Sequence, residues 1–103
     1  MNTREEQDRL SKLTTPTIHL NGTSAEELFE QVCNVLSNLR DARAAMSLAA
    51  PHGRDYPGPG GFIAANSEHT DRLLRLGAIL REYEALAEYI ADERDAREAR
   101  RAK

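Results

Sequence analysis

Two stretches of this 103-residue chain carry the same spacing of apolar residues, and a short segment rich in proline and glycine separates them. The first repeat runs through Leu28, Val32, Val35, Leu39, Ala42, Met46 and Ala49, and the second through Leu73, Leu76, Leu80, Tyr83, Ala87 and Ile90. Alternating steps of three and four residues place such side chains along one side of an α-helix. We therefore predict an all-α fold built on an antiparallel two-helix hairpin.

The first helix has clear signals at both ends. Thr23 and Ser24 are good N-cap residues, and Glu26 and Glu27 follow three positions later, as a capping box requires. Pro51 stops the helix, because its ring is incompatible with the helix interior. The first helix is therefore predicted over about residues 24–50.

The second helix is predicted over about residues 64–91, with a start that Gly61 or Asn66 could mark equally well. Residues 51–61 form the connecting loop. Beyond Ile90 the chain contains strong helix formers and opposite charges four residues apart, but no apolar face. Residues 92–103 are therefore predicted to form a charged helical tail.

The N-terminal part is more polar. Residues 1–15 have Leu10 and Leu13 as their apolar anchors and are predicted to form a flexible or short-helical arm. Residues 17–20 (Thr-Ile-His-Leu) follow Pro16 and precede Asn-Gly, a pattern typical of a short extended segment closed by a turn. The hairpin domain is predicted over residues 16–91.

A second apolar row lies beside each repeat. It consists of Phe29, Cys33 and Leu36 in the first helix and of Leu74, Ile79 and Leu86 in the second. In a lone hairpin these side chains would face water and forfeit on the order of 5–10 kcal/mol, which is comparable to the stability of a domain. We therefore expect a homo-oligomeric helical bundle. The alternative is a monomer in which residues 1–20 fold back over the second row.

Composition excludes several classes of protein. The 14 basic and 17 acidic residues give a net charge of −3, the wrong sign for general nucleic-acid binding. One cysteine, Cys33, allows neither an internal disulfide nor a thiolate zinc site, and we expect it to be packed as a small apolar residue. No segment is long and apolar enough to span a membrane. These features predict a soluble intracellular protein.

The loop 51–61 holds the most distinctive chemistry, with four glycines and three prolines around Arg54 and Tyr56. Arginine matches phosphate with two parallel hydrogen bonds, tyrosine stacks on a base, and glycine N–H groups bind anions. A ligand site formed by His52, Gly53, Arg54, Tyr56 and Gly58 is therefore one hypothesis. The alternative is a structural loop in which Arg54 pairs with Asp55 or caps helix carbonyls and Tyr56 packs over the hairpin end.

Other polar residues favour structural roles. His69 lies on the apolar side of the second helix and is expected to be a satisfied interior histidine. The arginines at 94, 97, 100 and 101 are interspersed with acidic residues and are expected to form a solvated face. No acid–base pair, activated nucleophile or set of metal ligands is recognisable, so we expect no catalytic residues, metal or cofactor and no enzymatic activity.

The order of these features, with residues 17–24, an amphipathic helix, the Gly53-Arg54-Asp55-Tyr56 loop and a closing helix, resembles small proteins encoded in bacteriophage and prophage genomes. Such proteins include counter-defence factors, some of which are oligomeric sponges for cyclic nucleotide signals of the host. The resemblance implies a non-enzymatic protein in the cytoplasm of a bacterial host cell that sequesters a small anionic ligand such as an immune-signalling nucleotide. The alternative function is a protein–protein interaction or structural module that binds a host or phage protein.

Overall fold

The computed structural model describes residues 3–102, and in that range the chain forms three α-helices. They are α1 (Thr3–Ser11), α2 (Ala25–Leu48) and α3 (Gly61–Arg101), with one short 3-10 turn at Gly53–Asp55. The predicted all-α class is confirmed, and no strand occurs in the described part. In addition to the expected pair of helices there is a third, α1, which lies within the predicted N-terminal arm. Met1 and Asn2 of the predicted arm and Lys103 of the predicted tail lie outside the described residues.

Local capping explains where α2 begins and ends. The Ser24 hydroxyl accepts a hydrogen bond from the Glu27 N–H at 3.1 Å, so the helix begins at Ala25. The helix ends at Leu48, slightly before the predicted end near Ala50. The residue before a proline is pushed out of the helical conformation, which explains why Ala50 is not part of the helix.

Glycine starts α3. Gly60 has a φ of 76°, a left-handed conformation that glycine adopts at little cost, and it precedes the first helical residue, Gly61. The Ala64 N–H then donates to the Gly60 carbonyl at 3.1 Å. The helix continues for 41 residues to Arg101, through the segment expected to be a charged tail. At 1.5 Å per residue it is about 61 Å long.

The helices α2 and α3 lie side by side and run in opposite directions. Glu26 near the start of α2 pairs with Arg94 near the end of α3 at 3.6 Å, and Arg40 pairs with Glu84 at 3.9 Å. Between them the core consists of Leu36, Leu80 and Ala87, with Phe29, Val32, Leu39 and Tyr83 packed against it. This apolar contact holds the two long helices together.

The face that α2 turns towards α3 differs from the expected one. Leu36, expected in an exposed second row, is buried in the core, whereas Ala42 and Ala49 of the predicted seam are exposed. The face that meets α3 combines Phe29 and Leu36 of the second row with Val32 and Leu39 of the predicted seam, a rotation relative to the seam alone. Burying Phe29 and Leu36 removes more apolar area from water than burying alanines does, which explains the rotation.

The N-terminal segment folds back along α3. We call residues 3–20, which comprise α1 and the non-helical chain after it, the N-terminal strap. Glu6 pairs with Arg81, and Arg9 pairs with Glu82 at 4.0 Å. Further along, the Ile18 carbonyl accepts a hydrogen bond from Arg97 Nη1 at 3.0 Å. The strap therefore runs parallel to α3, as in the monomeric alternative, but Leu74 and Ile79 of the second row stay exposed.

The molecule remains elongated, with dimensions of 68 × 27 × 20 Å. It exposes 7609 Å² of surface, compared with about 5,800 Å² for a compact monomer of this mass. Several large apolar side chains stay in solvent, among them Leu48 (91% exposed), Ile63 (75%) and Leu74 (51%). No helix in residues 3–102 is both long and apolar enough to cross a membrane.

The packing predicts which leucines stabilise the fold. Leu80 is 2% exposed, so Leu80→Ala should lower the free energy of unfolding by about 2–5 kcal/mol through lost burial and a residual cavity. Leu48→Ala, the matched control at an exposed site, should change it by less than about 0.5 kcal/mol. Urea unfolding followed by circular dichroism measures both values, and equal effects would contradict the assigned core.

Candidate functional site

The predicted loop site is an ordered, exposed turn. His52 Nδ1 accepts a hydrogen bond from the Arg54 N–H at 3.1 Å, and the His52 carbonyl accepts one from the Asp55 N–H at 3.0 Å. The Tyr56 N–H donates to the Gly53 carbonyl at 3.1 Å. Several backbone donors that a bound anion would need are therefore used within the loop itself.

The loop side chains lie at the surface. Arg54 is exposed and forms no ion pair with any residue from 3 to 102, so the pairing with Asp55 considered above is not seen. Tyr56 is partly exposed and lies beside Gly61, where a Cβ atom would stand 3.6 Å from the tyrosine Cβ. The structure thus brings His52, Gly53 and Arg54 together in one turn but leaves the arginine and tyrosine side chains open to water.

A more enclosed site lies at the opposite end of α3. We call it the arginine cleft, a cavity of about 260 Å³. Three segments meet around it: the end of the strap with the turn that follows, the start of α2, and the last turns of α3. Its walls are formed by Ile18, His19, Leu20, Gly22, Ser24, Ala25, Glu26, Arg94, Arg97, Glu98 and Arg101.

The turn in the cleft wall depends on a close approach at Gly22. The Gly22 N–H donates to the His19 carbonyl at 3.1 Å and reverses the chain between the strap and α2. A Cβ atom at Gly22 would lie 2.8 Å from His19 Nε2, so glycine allows the imidazole to fold over the turn. The predicted extended segment is thus present as non-helical chain closed by a turn, and its partner is α3.

Three arginines of α3 have different roles in the cleft. Arg94 lies 4.8 Å from the centre of the Phe29 ring and is paired with Glu26 and Asp95, so it is committed to the structure. Arg97 uses Nη1 on the Ile18 carbonyl, which fixes its guanidinium and leaves the other N–H groups for a ligand. Arg101 is exposed and has no hydrogen bond or ion pair within residues 3–102.

The start of α2 adds to the positive field. The first N–H groups of an α-helix have no partner inside the helix, and the aligned peptide dipoles place partial positive charge there. At α2 the Ser24 hydroxyl takes the N–H of Glu27, while Ser24, Ala25 and Glu26 all line the cleft. A helix start facing arginines is a favourable environment for an anion.

The sequence pattern concealed this site because helical geometry sorts the charges. Arg94, Arg97 and Arg101 are spaced by three and four residues and share one side of α3, whereas Asp92 and Asp95 lie elsewhere on the helix. Along residues 92–101 the acidic and basic side chains nearly cancel in charge. Counted around the cleft, three arginines face two glutamates, Glu26 and Glu98.

The remaining candidate residues do not form a group with a recognisable chemical function. Cys33 is a free, half-buried cysteine. No group of three His, Cys, Asp or Glu residues suited to a metal ion occurs between residues 3 and 102. His69 is buried at 8% exposure, and its Nε2 has no hydrogen-bond partner there, so the expectation of a satisfied histidine is wrong in this respect.

Comparison with protein-family models, with curated proteins and with solved structures gives no match for this chain.

His69 provides a test of the packing around the loop end of α3. A buried polar atom without a partner costs about 1–3 kcal/mol, so His69→Leu should raise the free energy of unfolding by about 1 kcal/mol. For a chain of this size that corresponds to a melting temperature about 4–8 °C higher. Differential scanning calorimetry measures the change, and a lower melting temperature would show that His69 has a favourable partner.

Proposed function

We propose that the protein binds a small anionic ligand in the arginine cleft and sequesters it without chemical change. The observation that carries the proposal is that two arginines line the same cleft beside the start of α2. Arg97 is held in place by the Ile18 carbonyl, and Arg101 has no partner within residues 3–102. Arginine binds phosphate through parallel, charge-assisted hydrogen bonds, and these are stronger than neutral ones.

The dimensions of the cleft favour a small phosphate-bearing ligand. Its volume of about 260 Å³ lies slightly below the usual range for ligand pockets, about 300–1,000 Å³. The apolar walls at Ile18 and Leu20 suit a base or another flat group, while the arginines suit a phosphate. A signalling nucleotide has both parts, which agrees with the resemblance to phage counter-defence proteins. The exposed loop at Arg54 and Tyr56 is the competing location.

Matched arginine variants separate the two locations. Arg101→Ala should weaken binding about tenfold or more, because a charge-assisted hydrogen bond contributes about 1.5–3 kcal/mol. Arg43→Ala, at an exposed position of α2 that lines neither the cleft nor the neighbouring cavity at Arg100, is the control and should leave the affinity within about twofold. Isothermal titration calorimetry with inorganic pyrophosphate, AMP and cyclic mono- and dinucleotides measures the affinities.

The loop variant completes the comparison. Arg54→Ala should leave the affinity unchanged if the ligand occupies the cleft. A loss with Arg54→Ala and none with Arg101→Ala would move the site to the loop, and no binding by any member of the panel would refute the proposed function. Hydrolysis of a nucleotide by the purified protein would contradict the non-enzymatic assignment.

We also propose that the chain works as a homo-oligomer. A surface larger than that of a compact monomer, with Ile63 and Leu74 exposed on the same side of α3, supports this. The strap lies alongside Arg81 and Glu82, further along α3. A second copy on this exposed row would bury it, and a neighbouring chain could close a ligand site more completely than one chain does.

Native mass spectrometry tests the assembly. The wild-type protein should show a multiple of the 11.5 kDa chain mass, and the double variant Ile63→Glu with Leu74→Glu should shift to single chains, because burying two new carboxylates is unfavourable. The control, Ser37→Glu with Asn38→Glu, adds the same charge at exposed polar positions of α2 and should keep the wild-type mass. A wild-type protein that is monomeric at high concentration would contradict self-association.

The same exposed row also favours a second candidate function, a module that binds a host or phage protein. In that case a purified complex should contain one protein partner in fixed ratio, and Ile63→Glu with Leu74→Glu should release it. Arg101→Ala should leave that complex intact, which distinguishes this function from ligand sequestration.

A further inference from the structure

The N-terminal strap is attached to the rest of the molecule by few contacts. No residue of α1 is buried, and α1 is held to α3 through the ion pairs Glu6–Arg81 and Arg9–Glu82. Their side chains are 22–43% exposed, and ion pairs that water still screens stabilise a fold by on the order of 1 kcal/mol each. The strap is therefore a low-stability element that can open without unfolding the core between α2 and α3.

The far end of the strap is part of the arginine cleft. Ile18, His19 and Leu20 line it, and the Ile18 carbonyl receives the hydrogen bond from Arg97. The opposite wall belongs to α3. A molecule that fills the cleft thus touches the strap and α3 together, and the complete cleft exists when the strap lies on α3.

We propose that the ligand clamps the N-terminal strap onto α3, so that ligand binding and strap docking form one coupled equilibrium. This inference rests on the proposed function of the cleft. A ligand that binds one of two conformations shifts the population towards that conformation by its differential affinity. Occupancy of the cleft would therefore be reported at α1, whose attachment at Arg81 lies 16 residues from Arg97 along α3, about 24 Å away.

The arrangement at Arg97 makes the coupling direct. Its Nη1 atom binds the strap through the Ile18 carbonyl, and the other N–H groups of the same guanidinium remain for an anion. One planar group thus joins ligand and strap. When the strap undocks, Arg97 loses its hydrogen bond to Ile18 and its side chain gains conformational freedom. A ligand bound to Arg97 removes that gain and so favours the docked strap.

The second attachment, at Arg81, lies outside the cleft. A substitution there changes the stability of the docked strap without changing the cleft wall. Gly77 provides the space for it, since a Cβ atom there would lie 3.3 Å from Arg81 Nη1. Arg81→Gln removes the ion pair with Glu6 without touching a wall of the cleft. Once weaker docking leaves an appreciable fraction of molecules with the strap undocked, ligand affinity falls, because the apparent affinity scales with the fraction in the competent state.

Hydrogen–deuterium exchange of the full chain, with inorganic pyrophosphate as the probe, tests the coupling. At a concentration ten times the Kd measured by calorimetry on the same sample, exchange in peptides covering residues 3–20 should slow about elevenfold. Arg81→Gln should raise exchange of these peptides in the free protein, weaken pyrophosphate binding, and regain protection at saturation. Arg72→Gln, which removes the ion pair with Glu68 on the same helix, is the control and should change neither quantity.

The outcomes separate the two claims. Pyrophosphate that binds, with no change of exchange in residues 3–20, overturns the coupling while leaving the cleft as a binding site. An Arg81→Gln variant whose residues 3–20 exchange as an undocked segment, with unchanged affinity for pyrophosphate, overturns it as well. No calorimetric binding refutes the proposed function, and the coupling with it.

Discussion

The length of α3 is the constraint on which the rest of the structure depends. This helix has 41 residues, whereas α2, its main partner, has 24. The apolar contact of Leu36 with Leu80 and Ala87 joins them over the region they share. The N-terminal strap lies along part of the remaining surface of α3, at Arg81, Glu82 and Arg97, while Ile63 and Leu74 stay exposed.

This way of covering a long helix explains why a cavity forms where it does. The strap arrives at the end of α3, the chain reverses at Gly22, and α2 leaves in the opposite direction. Three segments that diverge from one point cannot fill the space between them completely. The arginines that line this space are positioned by the same helix that carries the core, so the proposed anion site and the fold share one rigid element.

Much of the fold follows from local sequence signals, and the site does not. The cap at Ser24, the stop before Pro51 and the repeat through Leu80 and Ala87 act within a few residues of chain, which is why they predict helices. The rotation of α2 that buries Leu36 depends on competition between two apolar rows for one partner. Spacing alone does not decide that competition.

Sequence patterns do not reveal the candidate cleft, for a related reason. The contact between Ile18 and Arg97 joins residues 79 positions apart, and no local pattern announces it. Along the chain the acidic residues near 92–98 nearly balance the arginines of the cleft, although a helix separates residues by face. The loop at Arg54 attracted attention through its composition, and the structure places that arginine in the open.

Nitrogen-15 NMR of the arginine side chains during a titration with inorganic pyrophosphate tests the central claim most directly. If the cleft binds the anion, the Nε–H signals of Arg97 and Arg101 should show saturable shifts that fit one dissociation constant. The signal of Arg54 should not shift. Shifts confined to Arg54, or signals of Arg97 and Arg101 that do not move at saturating pyrophosphate, would contradict it.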